Sequence, residues 1–247
     1  MGIDENVLRR VRESDPELTW LNLSFERITD SDVQRLSEAL KENHTLTTLD
    51  LWNNSITDVG AEHLAKVLKE NRTLTTLNLS VNKITNVGAE YLAKALKENH
   101  TLTALSLSDN KVTDVGAEHL AEVLKENRTL TWLRLYKNNI TDVGARSLAE
   151  VLKENPTLRY LDLERNKITN VGAQHFAKVL EENYTLETLK LSNNNISDAL
   201  LQRVEALLQP EERRRRQEEK ELRKRERQEK ERQERDRILA ERSSFTT

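Results

Sequence analysis

Seven leucines stand 28 residues apart: Leu18, Leu46, Leu74, Leu102, Leu130, Leu158 and Leu186. Each opens the pattern Leu-x-x-Leu-x-Leu-x-x-Asn, followed by a segment of the type Ile-Thr-Asp-Val-Gly-Ala and an apolar helical stretch. A unit this small buries its apolar face only against its neighbours, so the period dictates a solenoid. A solenoid presents a long continuous surface, and the expected function is binding.

One repeat, Leu46 to Thr73, shows how the pattern works. Leu46, Leu49 and Leu51 bracket a short strand. Alternation sends Leu49 and Leu51 inward and Thr48, Asp50 and Trp52 outward. Asn54 occupies a column with Asn82, Asn110, Asn138, Asn166 and Asn194, and these amides are expected to stack as a ladder serving loop backbone groups. Thr57 or Asp58 caps a helix. Gly60 and Ala61 keep its first turn small. Ala61, Leu64, Ala65 and Leu68 fall at helical spacing and face inward. Glu62, Lys66, Lys69 and Glu70 face solvent, and Asn71 ends the helix.

These residues resemble the ribonuclease-inhibitor type of leucine-rich repeat. The resemblance rests on Leu-Thr-Thr-Leu-Asp-Leu-Trp-Asn-Asn-Ser-Ile-Thr-Asp-Val-Gly-Ala at 46–61 and its copies, and covers residues 18 to about 208. It implies an α/β solenoid with a curved parallel sheet on the concave face and helices on the convex face. The repeats are also similar to those of Ran-GTPase-activating proteins and to the arrays of nucleotide-binding immune receptors. The organisation expected is a capping segment at 1–17, seven repeats at 18–209 and a charged tail at 210–247. The terminal repeats are atypical, as array ends are. Repeat one has Glu26 in the Asn column and Asp32 in the Gly column, and repeat seven has Leu200 there. Residues 4–12 read as a short capping helix. At the other end, Asp198 is expected to cap a closing helix, Ala199 to Leu208.

The repeats differ mainly at their outward strand positions. Residues 57–75 and 113–131 match at 18 of 19 positions, so the helical face is nearly uniform. All three tryptophans lie in the outward strand set. Trp132, Arg134, Tyr136, Tyr160, Asp162, Glu164 and Arg165 are expected to form one partner-binding patch. Trp20, Asp50 and Trp52 form a second, smaller one. Aromatic and Arg side chains are the usual anchors of protein interfaces. The competing reading is that the rings merely cover neighbouring side chains along the sheet.

Other chemistry is excluded. There is no cysteine, hence no disulfide framework and no thiolate metal site. His63, His119 and His175 share a helix column but lie two repeats apart, too far to chelate one ion. His44 and His100 fail for the same reason. No nucleophile–base pattern and no phosphate-cradling loop appears. No enzyme, metal or cofactor is therefore expected. The N-terminus lacks the apolar run of a secretory signal, and Asn6 stands where a myristoylation signal wants Ser or Thr. No run of 18 apolar residues occurs. The Asn-x-Thr triplets, such as Asn43-His44-Thr45, recur with the repeat and read as structural. A cytoplasmic protein is expected, with a nuclear alternative.

After Leu208 the composition changes. Residues 211–237 hold 13 Lys/Arg and 10 Asp/Glu, with Leu222 the one apolar residue. Pro210 suits a first helical position. Glu-to-basic pairs four apart recur: Glu211–Arg215, Glu212–Arg216, Glu219–Arg223, Glu221–Arg225, Glu226–Lys230 and Glu231–Arg235. Each supports a helix by roughly 0.2–0.5 kcal/mol. A helix to Glu241 would extend about 46 Å. It lacks apolar heptads, so a monomer is expected. Interleaved glutamates and the absence of stacking aromatics argue against tight nucleic-acid binding. Arg213–Arg216 and Arg223–Arg227 resemble an import signal, and Ile238, Leu239 and Phe245 suggest a docking segment.

The leading function is thus a non-catalytic module that binds a protein partner on its concave face. The alternatives are a GTPase-activating regulator, which the Ran-type resemblance implies, and a structural spacer in a cytoskeletal assembly.

Overall fold

The computed structural model describes residues 2–244, with side chains through residue 235. The docking segment read in the tail falls outside this: Phe245 lies beyond the described residues, and Ile238 and Leu239 beyond the last described side chain. The chain divides into two compact units, Met1–Leu208 and Gln209–Thr247.

The first unit opens with α1 (Glu5–Arg12), capped by Asp4, whose carboxylate accepts from the Asn6 amide. Strands and helices then alternate. The strands are β1 (Trp20–Asn22), β2 (Thr48–Asp50), β3 (Thr76–Asn78), β4 (Ala104–Ser106), β5 (Trp132–Arg134), β6 (Tyr160–Asp162) and β7 (Thr188–Lys190). The helices between them are α2 (Asp30–Leu40), α3 (Asp58–Glu70), α4 (Asn86–Glu98), α5 (Asp114–Leu124), α6 (Asp142–Val151) and α7 (Asn170–Leu180), and α8 (Asp198–Leu208) closes the unit. The seven strands form one parallel sheet in chain order, each residue opposite the one 28 positions on, as Trp20 is opposite Thr48. Adjacent strands lie about 4.8 Å apart, whereas packed helices need about 8–10 Å. This mismatch bends the stack, placing the sheet on the concave face.

The core is the expected one. Leu49, Leu51, Ile56, Ala61, Leu64 and Leu68 are buried, and so are their equivalents along the array, except Ile196 and Leu201 of the last repeat, which are half-buried. Val67 and its counterparts Val123, Val151 and Val179 join them.

Three ladders of polar side chains tie the repeats together. The first is the expected asparagine column. Asn110 donates to Leu79 O at 2.9 Å in the preceding repeat and to Leu107 O at 3.2 Å in its own. Its Oδ1 accepts from Ile84 N at 3.0 Å. Asn82 also donates to Leu79 O, and Asn138 to Leu107 O, so each leucine carbonyl is shared by two amides. The second ladder is Asn43, Asn71, Asn99, Asn127, Asn155 and Asn183, all buried. Asn99 donates to Leu68 O at 2.7 Å and accepts from Thr101 N and Leu102 N. Each Asn-x-Thr triplet is therefore a turn that ends a helix and starts a strand.

The third ladder decides between the two expected caps. Thr57, not Asp58, is the N-cap of α3, its hydroxyl accepting from Val59 N. Asp58 instead caps the next helix. Its carboxylate accepts from Thr85 N at 2.7 Å, Thr85 Oγ1 at 2.6 Å and Gly88 N at 2.9 Å. Asp30, Asp114 and Asp142 act likewise, and Asn86 does so with its amide. A carboxylate against orphan N–H groups and the positive end of a helix is stabilising. The glycine makes room for it, since a Cβ on Gly144 would come 2.8 Å from Asp114 Oδ1. At the C-terminal end α8 begins at Asp198, one residue earlier than expected, and Ser197 N donates the equivalent bond to Asn170 Oδ1.

The second unit is α9 (Pro210–Ser244), 35 residues and about 52 Å long. Of the expected pairs, Glu212–Arg216 and Glu219–Arg223 form at 3.5 and 3.9 Å. Arg215 also pairs with Glu212 and Glu219, and Arg227 with Glu231. Such pairs, rather than an apolar stripe, support this helix.

Candidate functional site

Strict register sets the outward side chains of the sheet in three rows that run from strand to strand. The first holds Trp20, Thr48, Thr76, Ala104, Trp132, Tyr160 and Thr188. The second holds Asn22, Asp50, Asn78, Ser106, Arg134, Asp162 and Lys190. The ladder continues past the strands, with Leu51 N donating to Asn78 O and Phe25 N to Trp52 O. A third row therefore holds Ser24, Trp52, Ser80, Ser108, Tyr136, Glu164 and Ser192.

The larger expected patch is brought together on β5 and β6. Trp132 and Tyr160 stack with centroids 5.1 Å apart and planes 21° from parallel. That separation is close to the strand spacing, so both rings stand upright from the sheet. Arg134 donates to Asp162 Oδ2 at 3.1 Å, and its guanidinium lies 5.2 Å from the Trp132 ring centroid. Arg165 lies 5.8 Å from the Tyr136 ring centroid, within cation–π range. The Glu164 amide donates to Asp162 Oδ1.

Two details differ from the sequence reading. Asp162 is not an exposed contact: its side chain is only 2% accessible, and Arg134 compensates its charge. Removing Arg134 would leave a buried uncompensated carboxylate, which is costly. Arg134 is therefore partly structural, and Trp132 and Tyr136 are the cleaner probes of binding. The Tyr160 phenol is pushed up by burial and by the Asp162 carboxylate, against the opposing pull of Arg134. It stays neutral at physiological pH.

The smaller patch is not one cluster. Trp20 lies in the first row and Trp52 in the third, so four residues of strand, about 13 Å, separate them. Asp50 lies between, in the second row, and accepts from Trp52 N and Asn78 Nδ2. Trp52 has a partner that alternation alone missed: Phe25 meets it edge-on, with centroids 4.4 Å apart. Phe25 has φ 62°, and this left-handed turn brings its ring to the Trp52 side. Phe25 heads a column, continuing through Asn53, Val81, Asp109, Lys137, Arg165 and Asn193, that adopts positive φ throughout, although its residue types share no turn signature in the sequence. Among the described residues Trp20 and Phe25 are the most open Trp, Tyr or Phe rings, at 60% and 59% exposure.

Between the two aromatic ends, β3 and β4 carry outward only Thr, Ser and Ala besides Asn78, whose amide donates to Asp50. Ser80 Oγ donates to Asn78 Oδ1 at 2.6 Å and lies 2.6 Å from Ser106 Oγ, which lies 3.2 Å from Ser108 Oγ. With Thr76 and Ala104 they form a low, hydrogen-bonded floor.

Among the described residues no three His, Cys, Asp or Glu side chains gather as a metal site. No helix there is long and apolar enough to cross a membrane.

An in-register parallel sheet, asparagine ladders and helices one repeat apart define a leucine-rich-repeat protein. The TMOD/LMOD leucine-rich domain matches residues 3–116 and 115–209, and the chain belongs to that family. The chain is similar to a solved structure titled Leiomodin-1 Actin-Binding Site 2, at 24% identity and a TM-score of 0.39, covering 92% of this chain and 98% of that one. It is also similar to a tropomodulin C-terminal domain from Caenorhabditis elegans, at 17% identity and a TM-score of 0.36, covering 88% and 97%. No curated protein sequence matches. These matches show the leucine-rich-repeat family; the expected similarity to Ran-GTPase-activating proteins and to immune receptors is not shown by them.

Proposed function

We propose that this chain is a non-catalytic module that captures a protein partner on its concave sheet face, with actin the first partner to test. One observation carries the reading. The variable positions of a nearly uniform array collect Trp, Tyr, Phe and Arg on a face where the core does not need them. Trp132, Tyr136, Trp20, Phe25 and Trp52 all retain accessible surface. Rings and guanidinium groups are the residues that anchor interfaces, at roughly 2 kcal/mol or more each when a partner buries them. Family membership supports a binding role, and the printed title of the leiomodin-1 structure suggests the probe. Glu164 and Arg165 serve as rim contacts, while Asp162 holds Arg134 in place. The protein acts as a cytosolic monomer, and α9 extends its reach.

Cosedimentation of the full chain with actin filaments, and its binding to monomeric actin, test this. The expected result is binding that Trp132→Ala/Tyr136→Ala weakens at least about tenfold without loss of fold. Actin binding unchanged by that pair would place the working surface elsewhere. Absence of binding to either form would remove actin as the partner.

A further inference from the structure

The concave face is not uniformly rough; it has one trough. Its floor is Thr76, Asn78, Ser80, Ala104, Ser106 and Ser108 on and just beyond β3 and β4. Trp52 with Phe25 walls it on the β2 side, and Trp132 with Tyr136 on the β5 side. Three strand spacings separate β2 from β5, about 14 Å centre to centre. An α-helix with its side chains measures about 10–12 Å across, and less where its residues are small.

The walls also differ in charge. On the β2 side Asp50 is half-buried, and its Oδ2 makes no hydrogen bond among the described residues. On the β5 side the Arg134 side chain remains 42% accessible after pairing with Asp162 through Nε. A guanidinium has five N–H donors, so most of its capacity remains.

From this geometry we infer that the trough seats one α-helix of the partner, lying along the strands. This rests on the sheet-face reading above and specifies its ligand. The helix presents small side chains to the serine floor, which lets its backbone settle between walls only about 14 Å apart. One flank carries Lys or Arg toward Asp50. The other carries Glu or Asp toward Arg134. Trp52 and Tyr136 face each other across it in the third row and Trp132 carries the β5 wall on to the first row, giving the anchor-in-pocket arrangement that dominates interface energies. An extended peptide fits less well: it fills about 5 Å of the width and leaves one aromatic wall untouched.

The test uses the full chain and synthetic peptides of about 18 residues. One is helical, with an Ala/Ser centre line, Lys on one flank and Glu on the other. A second has the same composition with a central proline, and a third has the two flanks exchanged. Indole and backbone amide NMR shifts read the site. The expected result is saturable binding of the first peptide, with shifts confined to β2–β5 and both Trp52 and Trp132 indoles affected. The second and third peptides bind at least about tenfold more weakly. Ala104→Trp, which fills the floor, abolishes binding, as does Thr76→Arg, which blocks it without a large ring. Equal binding of the proline peptide, or binding that survives both floor substitutions, overturns the helix seat. Actin separates the two claims. If Trp132→Ala/Tyr136→Ala loses actin while Ala104→Trp and Thr76→Arg keep it, the sheet face stands and the helix seat falls. If no sheet-face substitution affects actin, the broader reading falls.

Discussion

Replacing Asn110 by Ala tests whether the asparagine ladder holds the array together. Four bonds are lost: those to Leu79 O, Leu107 O and Ser108 O, and the one from Ile84 N. They are not equal. Leu79 O keeps Asn82 and Leu107 O keeps Asn138, so neither carbonyl is orphaned. Ile84 N loses its acceptor, and Ile84 itself is fully buried. An unsatisfied buried N–H costs about 1–3 kcal/mol, and the weakened carbonyls add to that. The expected loss is about 2–3 kcal/mol, or a fall of about 5–10 °C in Tm for a unit of this size. Urea unfolding, followed by far-UV circular dichroism and tryptophan fluorescence, measures it. Asn110→Asp sharpens the test. It restores an acceptor for Ile84 N but sets a carboxylate against the carbonyls, so it should be at least as damaging at pH 7 and should partly recover below about pH 4, where the group is protonated. A loss under about 0.5 kcal/mol for the alanine variant, or an aspartate variant indifferent to pH, would refute the reasoning.

Three further outcomes follow from the same geometry. Gly144→Ala should destabilise by about 1–3 kcal/mol in thermal unfolding although Ala is the better helix former, because its Cβ would crowd Asp114 Oδ1, Ile140 and Ala117; stabilisation would show that the carboxylate yields freely. Val81→Asn should stabilise by about 1 kcal/mol, since Val81 holds φ 56° where Asn53 and Asn193 hold the same conformation with less strain; an unchanged urea midpoint would count against strain there. Asp142 is penalised by burial, yet bonds from Thr169 Oγ1, Thr169 N and Gly172 N hold its carboxyl below the usual range. A depressed native value gives stability that is present above the unfolded value and lost as pH falls through the native one. The stability gap between wild type and Asp142→Asn should therefore be full near pH 7 and close below about pH 4; a gap constant with pH would contradict this.

The 28-residue period already contained the sheet order, the register and the first asparagine ladder, because strict repetition leaves one way to stack identical units. The helix caps were legible only in part. Asp58 reads as a local cap, and nothing within one repeat shows that its carboxylate reaches Thr85 and Gly88 of the next. The column Asp30, Asp58, Asn86, Asp114, Asp142 and Asn170 carried the clue, since only a short acceptor side chain ever fills it. For the site, alternation placed Trp132, Tyr160 and Arg134 together. It also overgrouped Trp20 with Trp52, because sharing a face does not mean sharing a row. Phe25 escaped because a left-handed turn breaks the alternation. Asp162 was taken as exposed because its burial against Arg134 and Tyr160 is a property of the assembled face, which no single strand reveals.

Hydroxyl-radical footprinting of the full chain, alone and with actin, tests the central claim most directly. The account predicts protection of Trp52, Trp132 and Tyr136 on the sheet, with Tyr91, His63 and His119 on the helices unchanged. Protection confined to the helices, or to α9, would contradict it.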